Sequence, residues 1–239
     1  GSASAFGLAV DRRHQLLYAA TGVLPQTPLE DGEALASTLA AYDLTSFEPV
    51  FRHEAPSGAR LSDVLVRDGQ VLAADGAGGR IFRLSGPGAP LELFFEDPRF
   101  ASLQGIAAAQ GAIFAADYAL GVWRIDPGRR TAERLVSDGE SLIGIDGLAA
   151  GPGGALYAVR NGISPPAVLK IIPAREGESR VEVVLRGHPA FEGGEPTSIR
   201  IADGRAFLLA NSAWPVWGGD AAAPEIPGPA PVVLDWRLE

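Results

Sequence analysis

One phrase returns along this chain with a period of about forty to fifty residues, and its clearest copy is LQGIAAAQGAIFAADYALGVWRID at residues 103–126. It holds two short apolar runs, a glycine between them, and a third run that ends in an aromatic residue and an Asp. That pattern reads as three strands joined by tight turns. Gly105 in GIAAA aligns with Gly147 in DGLAA and Gly7 in FGLAV, while Asp63 in SDVLV and Thr197 in PTSIR hold the corresponding places. The markers are separated by 56, 42, 42 and 50 residues. Multi-strand repeats of this length are the mark of propeller blades. The chain is therefore expected to be all-β, a β-propeller of four-stranded antiparallel blades with five blade-like units. They would form a single domain over residues 1–239, with blades near 5–56, 57–98, 99–140, 141–190 and 191–239.

The breaks between runs carry the turn chemistry that antiparallel meanders need. Asp68-Gly69, GAGG at 76–79, SGPGAP and Asp126-Pro127-Gly128 each supply a residue that tolerates positive φ or one that fixes it. The first unit carries an insertion between Gly22 and Ser37, too polar and Pro-broken for a strand, which is expected to lie on a rim with a short helical turn. The fifth unit has TSIRIA, RAFLLAN and, after a Trp- and Pro-rich excursion, VVLDWRL. It offers three strands where the others offer four. Such an arrangement leaves an unpaired edge and with it a route to self-association.

Thirty glycines and nineteen prolines suit many turns and short strands, and an apolar share of 46% supplies a full core. A formal charge of −9 argues against nucleic acid, whose phosphates need a basic footprint. It favours a neutral or cationic small molecule, or a divalent cation. With no cysteine the chain has neither disulfides nor a thiolate nucleophile, and the compartment stays open between periplasmic or secreted and cytoplasmic. No apolar run is long enough to span a membrane. The chain has no methionine and begins Gly1-Ser2, which a processed precursor or a tag remnant would both explain.

The familiar catalytic motifs are missing. His14, His53 and His188 show no zinc spacing, there is no GxSxG elbow, and GAGG opens no helix and so cradles no phosphate. Asp75 and Asp117 end second strands, where an Asp satisfies the backbone of the following turn. Asp63 is a candidate general base if it faces the propeller channel. Asn161-Gly162 is the strongest two-residue signal for a type I′ turn, although Asn161 could also reach the mouth of the funnel. Tyr118 follows the second run of its unit and is a substrate-binding candidate. Asn211, Trp214 and Trp217 in ANSAWPVWGG could form a ligand-stacking wall or could cover the last blade.

The repeated phrases resemble the senescence marker protein, gluconolactonase and luciferin-regenerating enzyme family of six-bladed β-propellers. The residues that carry the resemblance are SDVLV from Ser62, the phrase from Gln104 to Asp126, GIDGLAAG from Gly144, YAVRNGISPP from Tyr157, HPAF from His188, EPTSIRI from Glu195 and LLANSAW from Leu208. The resemblance implies a blade ahead of FGLAVD that this chain lacks, making five of six. It also implies one divalent cation, Ca²⁺ foremost, held on the channel axis by oxygen ligands that polarise a lactone carbonyl and lower the pKa of water. The inner-strand starts are Phe6, Ser62, Gln104, Asp146 and Glu195. Asp146 matches the family's Asp-Gly phrase and is the leading ligand and catalytic candidate, with a turn-capping role as its alternative. Gln104 and Ser62 stand where the family has metal-binding Asn residues, and Glu195 is a second carboxylate.

Two functions follow from this reading. One is a gluconolactonase-like, metal-dependent hydrolase of a lactone or similar cyclic ester, with its ligand in the central channel. The other is a non-catalytic ligand-binding or scaffold propeller. A third possibility is a fragment whose missing blade comes from another chain.

Overall fold

The computed structural model describes residues 4–22, 36–86, 89–214 and 230–238. The expected runs form strands, which assemble into antiparallel sheets in chain order, the blades of a β-propeller, with one short strand, Val136–Ser137, pairing in parallel outside that order. Two compact units contain them, Gly1–Leu103 and Gln104–Glu239.

The first unit holds two four-stranded blades. Blade 1 is β1 (Ser4–Asp11), β2 (Leu16–Gly22), β3 (Thr38–Asp43) and β4 (Pro49–Glu54). Blade 2 is β5 (Leu61–Arg67), β6 (Gln70–Asp75), β7 (Arg80–Leu84) and β8 (Leu91–Glu96). Tyr18, Leu39, Leu61, Val64, Phe82 and Leu84 interleave in their shared core. The insertion expected between Gly22 and Ser37 lies, at 23–35, outside the described residues. Its base is pinned: the Ser37 hydroxyl donates to the Thr21 carbonyl at 2.7 Å and accepts the Leu61 amide at 2.8 Å.

The second unit begins within β9 (Leu103–Ala109) and continues blade 3 with β10 (Ala112–Asp117), β11 (Gly121–Asp126) and β12 (Thr131–Arg134). Blade 4 is β14 (Ile145–Ala150), β15 (Leu156–Arg160), β16 (Ala167–Ile172) and β17 (Glu178–Arg186). Blade 5 is three-stranded among the described residues, with β18 (Ile199–Ala202), β19 (Arg205–Asn211) and β20 (Val232–Arg237). Phe114, Val122, Leu148, Leu156 and Leu169 fill one core of this unit, and Tyr157, Val159, Val168, Ile199 and Leu208 fill another.

AERLVS departs from the expected single outer strand. The Leu135 amide still bonds the Val122 carbonyl at 2.8 Å, and its side chain packs on the core. Beyond it the chain leaves blade 3, and β13 (Val136–Ser137) pairs in parallel with β17, Val136 opposite Glu178. The Asp138 side chain then accepts the Val181 amide at 3.0 Å.

The repeated glycine that served as a ruler has a steric cause. A Cβ on Gly147 would lie 2.9 Å from the Cα of Ser198 and closer still to the Thr197 carbonyl oxygen. One on Gly105 would lie 2.6 Å from the Asp146 carbonyl oxygen, and one on Gly7 would lie 2.6 Å from the Cα of Asp63. Each glycine thus lets the first strand of its blade meet the backbone of the next blade's first strand, at the aligned position of the repeat.

Candidate functional site

Four of the expected site residues meet in the second unit, at loop ends and first-strand starts. Asp146 lies on β14 at a bulge, where the pairing with β15 shifts between Ile145 and Leu148. A bulge re-aims a side chain without ending the strand. Asn161 follows β15, and its Nδ2 donates to Asp146 Oδ2 at 3.0 Å and to the Pro196 carbonyl at 2.9 Å. Because both partners are acceptors, the amide orientation is determined and Oδ1 must face the other way. That Oδ1 is buried and has no hydrogen-bond partner among the described residues.

Glu195 is half-buried just ahead of Pro196, and its carbonyl is gripped by Ser212, from the amide at 3.0 Å and the hydroxyl at 2.9 Å. Burial pushes its carboxyl above the ordinary glutamate range. Tyr118 is half-buried after β10. Its phenol is pushed up by burial first and then by the negative charges of Glu195 and Asp146, so it stays protonated across the physiological range. The hydroxyl lies 2.9 Å from where a Cβ on Gly162 would stand, next in the chain to Asn161, whose amide binds Asp146 and the Pro196 carbonyl that follows Glu195. The result is one protonated phenol, two carboxylates and one unsatisfied amide oxygen in a single neighbourhood. Gln104 is half-buried on β9, next to the glycine that packs on the Asp146 carbonyl.

Asn161-Gly162 does not form the type I′ turn that its sequence signals, since neither residue has a positive φ. Gly162 is required for a different reason. A Cβ there would lie 2.7 Å from the Cα of Gly144 and 2.9 Å from the Tyr118 hydroxyl oxygen. Gly144 (φ +74°) donates to the Tyr118 carbonyl at 2.8 Å and accepts from the Gly162 amide at 3.0 Å. Backbone contact between two glycines therefore seats the phenol beside Asn161.

The remaining candidates are occupied with local structure. Ser62 sits at a bulge of β5, and its hydroxyl lies 2.6 Å from the Leu103 carbonyl and 3.2 Å from that of Ala74. Asp63 is buried and accepts the Val64 amide at 2.8 Å. Asn211 is buried as well, with Oδ1 accepting the Ala213 amide at 2.9 Å and Nδ2 donating to the Glu192 carbonyl at 3.3 Å. Trp214 is 38% exposed, and Trp217 lies outside the described residues. Asp75 and Asp117 are fully buried and cap their turns, as their sequence position indicates: Asp75 accepts the Arg60 and Ala77 amides and Asp117 those of Ala119 and Leu120.

Arg160 was not singled out by its sequence. It is 2% exposed, and its Nη1 donates to Glu140 Oε2 at 2.8 Å and to the Ser141 carbonyl at 3.0 Å. Its signal lay in the repeat, because it holds the second-strand end that Asp75 and Asp117 hold in blades 2 and 3.

Burial of Glu195 has a measurable consequence. A carboxyl whose folded pKa lies above its unfolded value takes up protons on folding, so its charged form costs stability above the folded pKa and nothing below the unfolded one. Glu195→Gln is therefore expected to raise the melting temperature at pH 8 by on the order of 2 °C. The gain should disappear as the pH falls below the ordinary glutamate range, as a pH series of melting curves would show.

No family profile matches the chain, and no curated protein matches it in sequence at a significant level. Solved structures do match the fold. The chain is similar to a structure of a nidogen/laminin complex at 15% identity and a TM-score of 0.64, over 87% of this chain and 72% of the other. It is equally similar to the X-ray structure of a protein described as a "putative gluconolactonase", at 16% identity, TM-score 0.64 and the same coverages. At such identities the likeness establishes the propeller fold and no more.

Proposed function

We propose that the chain is a gluconolactonase-like hydrolase that binds one divalent cation, Ca²⁺ by preference, and opens a lactone or similar cyclic ester. The observation that carries this reading is the buried, unpartnered Oδ1 of Asn161, a residue whose Nδ2 holds Asp146 Oδ2 at 3.0 Å. An oxygen acceptor held without a donor is costly, and a hard cation relieves that cost. Asp146, Glu195, Asn161 Oδ1 and Gln104 Oε1 would supply oxygen donors of the kind that suits Ca²⁺. A bound cation would polarise the ester carbonyl and lower the pKa of water.

The chain's own groups divide the remaining work. Asp146 takes a proton from the attacking water as the new C–O bond forms. The ring C–O bond breaks, and the leaving oxygen takes a proton from the Tyr118 phenol. The small-molecule ligand is expected within this neighbourhood of the second unit. Ser62 and Asp63 belong to the first unit, where both side chains bond neighbouring backbone, and the proposal assigns them no step.

One observation favours a non-catalytic, ligand-binding or scaffold propeller instead. Among the described residues no group of three His, Cys, Asp or Glu side chains is placed to hold a metal ion. Both readings leave the compartment open, and no helix among the described residues is long and apolar enough to cross a membrane.

The experiment is a thermal-shift series with Ca²⁺, Mn²⁺ and Zn²⁺, followed by a screen of aldono- and acyl-lactones. The hydrolase reading expects a rise in melting temperature with at least one ion, loss of that rise in Asp146→Ala, and ion-dependent lactone opening. Ion binding without turnover would favour the scaffold reading. Indifference to all three ions would remove the metal from the proposal.

A further inference from the structure

We infer that Arg160 is a positioning residue for this site: by anchoring the end of β15 to the 138–144 loop, it holds the Asn161 amide against Asp146 and Pro196. The assignment of Asn161 to a ligand site rests on the function proposed above, whereas the anchoring geometry does not.

The internal repeat carries the argument. In three blades the last residue of the second strand caps the loop that follows it, accepting the amide two residues on: Asp75 from Ala77, Asp117 from Ala119, Asn211 from Ala213. Blade 4 has Arg160 at that place, and a guanidinium cannot accept an amide proton. The loop after β15 is left without that cap, and Arg160 points its charge at the preceding loop instead. There Glu140 accepts from Arg160 through Oε2 at 2.8 Å and from Arg186 through Oε1 at 2.6 Å, one carboxylate bridging two arginines.

The clamp reaches the site through a short path. The Ser141 carbonyl also accepts from Arg160, and the same loop ends at Gly144, whose backbone bonds both Tyr118 and Gly162. Arg160 thus fixes both sides of Asn161: the strand end before it, and the glycine contact after it. The Arg160 guanidinium foremost, and Arg186 with it, lowers the Glu140 carboxyl from its ordinary value. An Asp at position 160, as blades 2 and 3 have, would cap its own loop and abandon this anchor.

The test reads Asn161 directly. In a ¹⁵N spectrum of the full chain its side-chain amide pair, assigned by its loss in Asn161→Asp, should be well dispersed and slow to exchange with water. Glu140→Gln and Arg160→Lys should each speed that exchange about ten-fold, the equivalent of about one hydrogen bond, while most backbone resonances stay in place. If either variant fails to fold, the other carries the test. The inference is overturned if the Asn161 amide is unchanged in a folded variant of either kind, or if exchange rises uniformly along the chain. A second arm measures the Ca²⁺-induced thermal shift in the same variants. A parent chain with no shift counts against the proposed function and leaves the amide readout to decide the role of Arg160.

Discussion

A Gly147→Ala chain is expected to melt about 6–12 °C below its parent, a loss of about 3 kcal/mol for a chain of this size. The added methyl has nowhere to go. Its nearest neighbours are the backbone of Thr197, Ser198 and Ile199, so relief requires separating β14 from β18 rather than rotating a side chain. The same shift would break the bond from the Gly147 amide to the Thr197 carbonyl, now 2.9 Å long. Gly139→Ala is the matched control, since a Cβ there meets no atom within 4 Å and the residue has no positive φ. It should be neutral or slightly stabilising through the unfolded chain. Equal losses in the two variants, measured by calorimetry, would mean that glycine content and not close strand approach sets the repeat.

Asp75→Ala is expected to cost about 3 kcal/mol, since it removes one partner of a buried pair and leaves the other groups unsatisfied. The carboxylate is fully buried. It accepts the Arg60 amide at 2.9 Å and the Ala77 amide at 3.0 Å through Oδ1, and Arg80 Nε at 2.9 Å through Oδ2. Asp75→Asn keeps an acceptor for the amides but turns an NH₂ donor, in place of the charged acceptor, toward Arg80, which is 26% exposed and can turn to water. Its loss should be clearly smaller, and urea midpoints of the two variants with Arg80→Met would separate the cap from the ion pair. If the two substitutions cost the same, the ion pair dominates and the turn-capping account of this Asp is wrong.

Most of the strand order was legible because Gly, Pro and Asp mark the turns of a meander and the apolar runs between them are too short for helices. The turn-capping bonds of Asp75 to Ala77 and of Asp117 to Ala119 and Leu120 were legible for the same reason, since they span two or three positions, whereas the Asp75 bond to the Arg60 amide spans fifteen and was not. The misreadings share an opposite cause. Asn161-Gly162 carries a strong local turn signal, yet its glycine answers a contact with Gly144 and Tyr118 that no local pattern encodes. AERLVS has no breaker at Leu135, and the strand ends there because Val136 finds β17. Tyr118, Asp146, Asn161 and Glu195 could be nominated one at a time. Their convergence depends on which blade edges adjoin, and Arg160 stands out only when the repeat is compared with itself.

The parallel pairing of β13 with β17 gives the chain a knot of timing. Asp138 finds its partner amide at Val181, 43 residues later, so the exit from blade 3 cannot be secured until the last strand of blade 4 has been laid down. Closing so long a loop costs entropy before any contact rewards it. Blades 3 and 4 are therefore expected to be won or lost as a pair, and a nick at the hairpin between β11 and β12 should be far better tolerated than one in the strap that joins them.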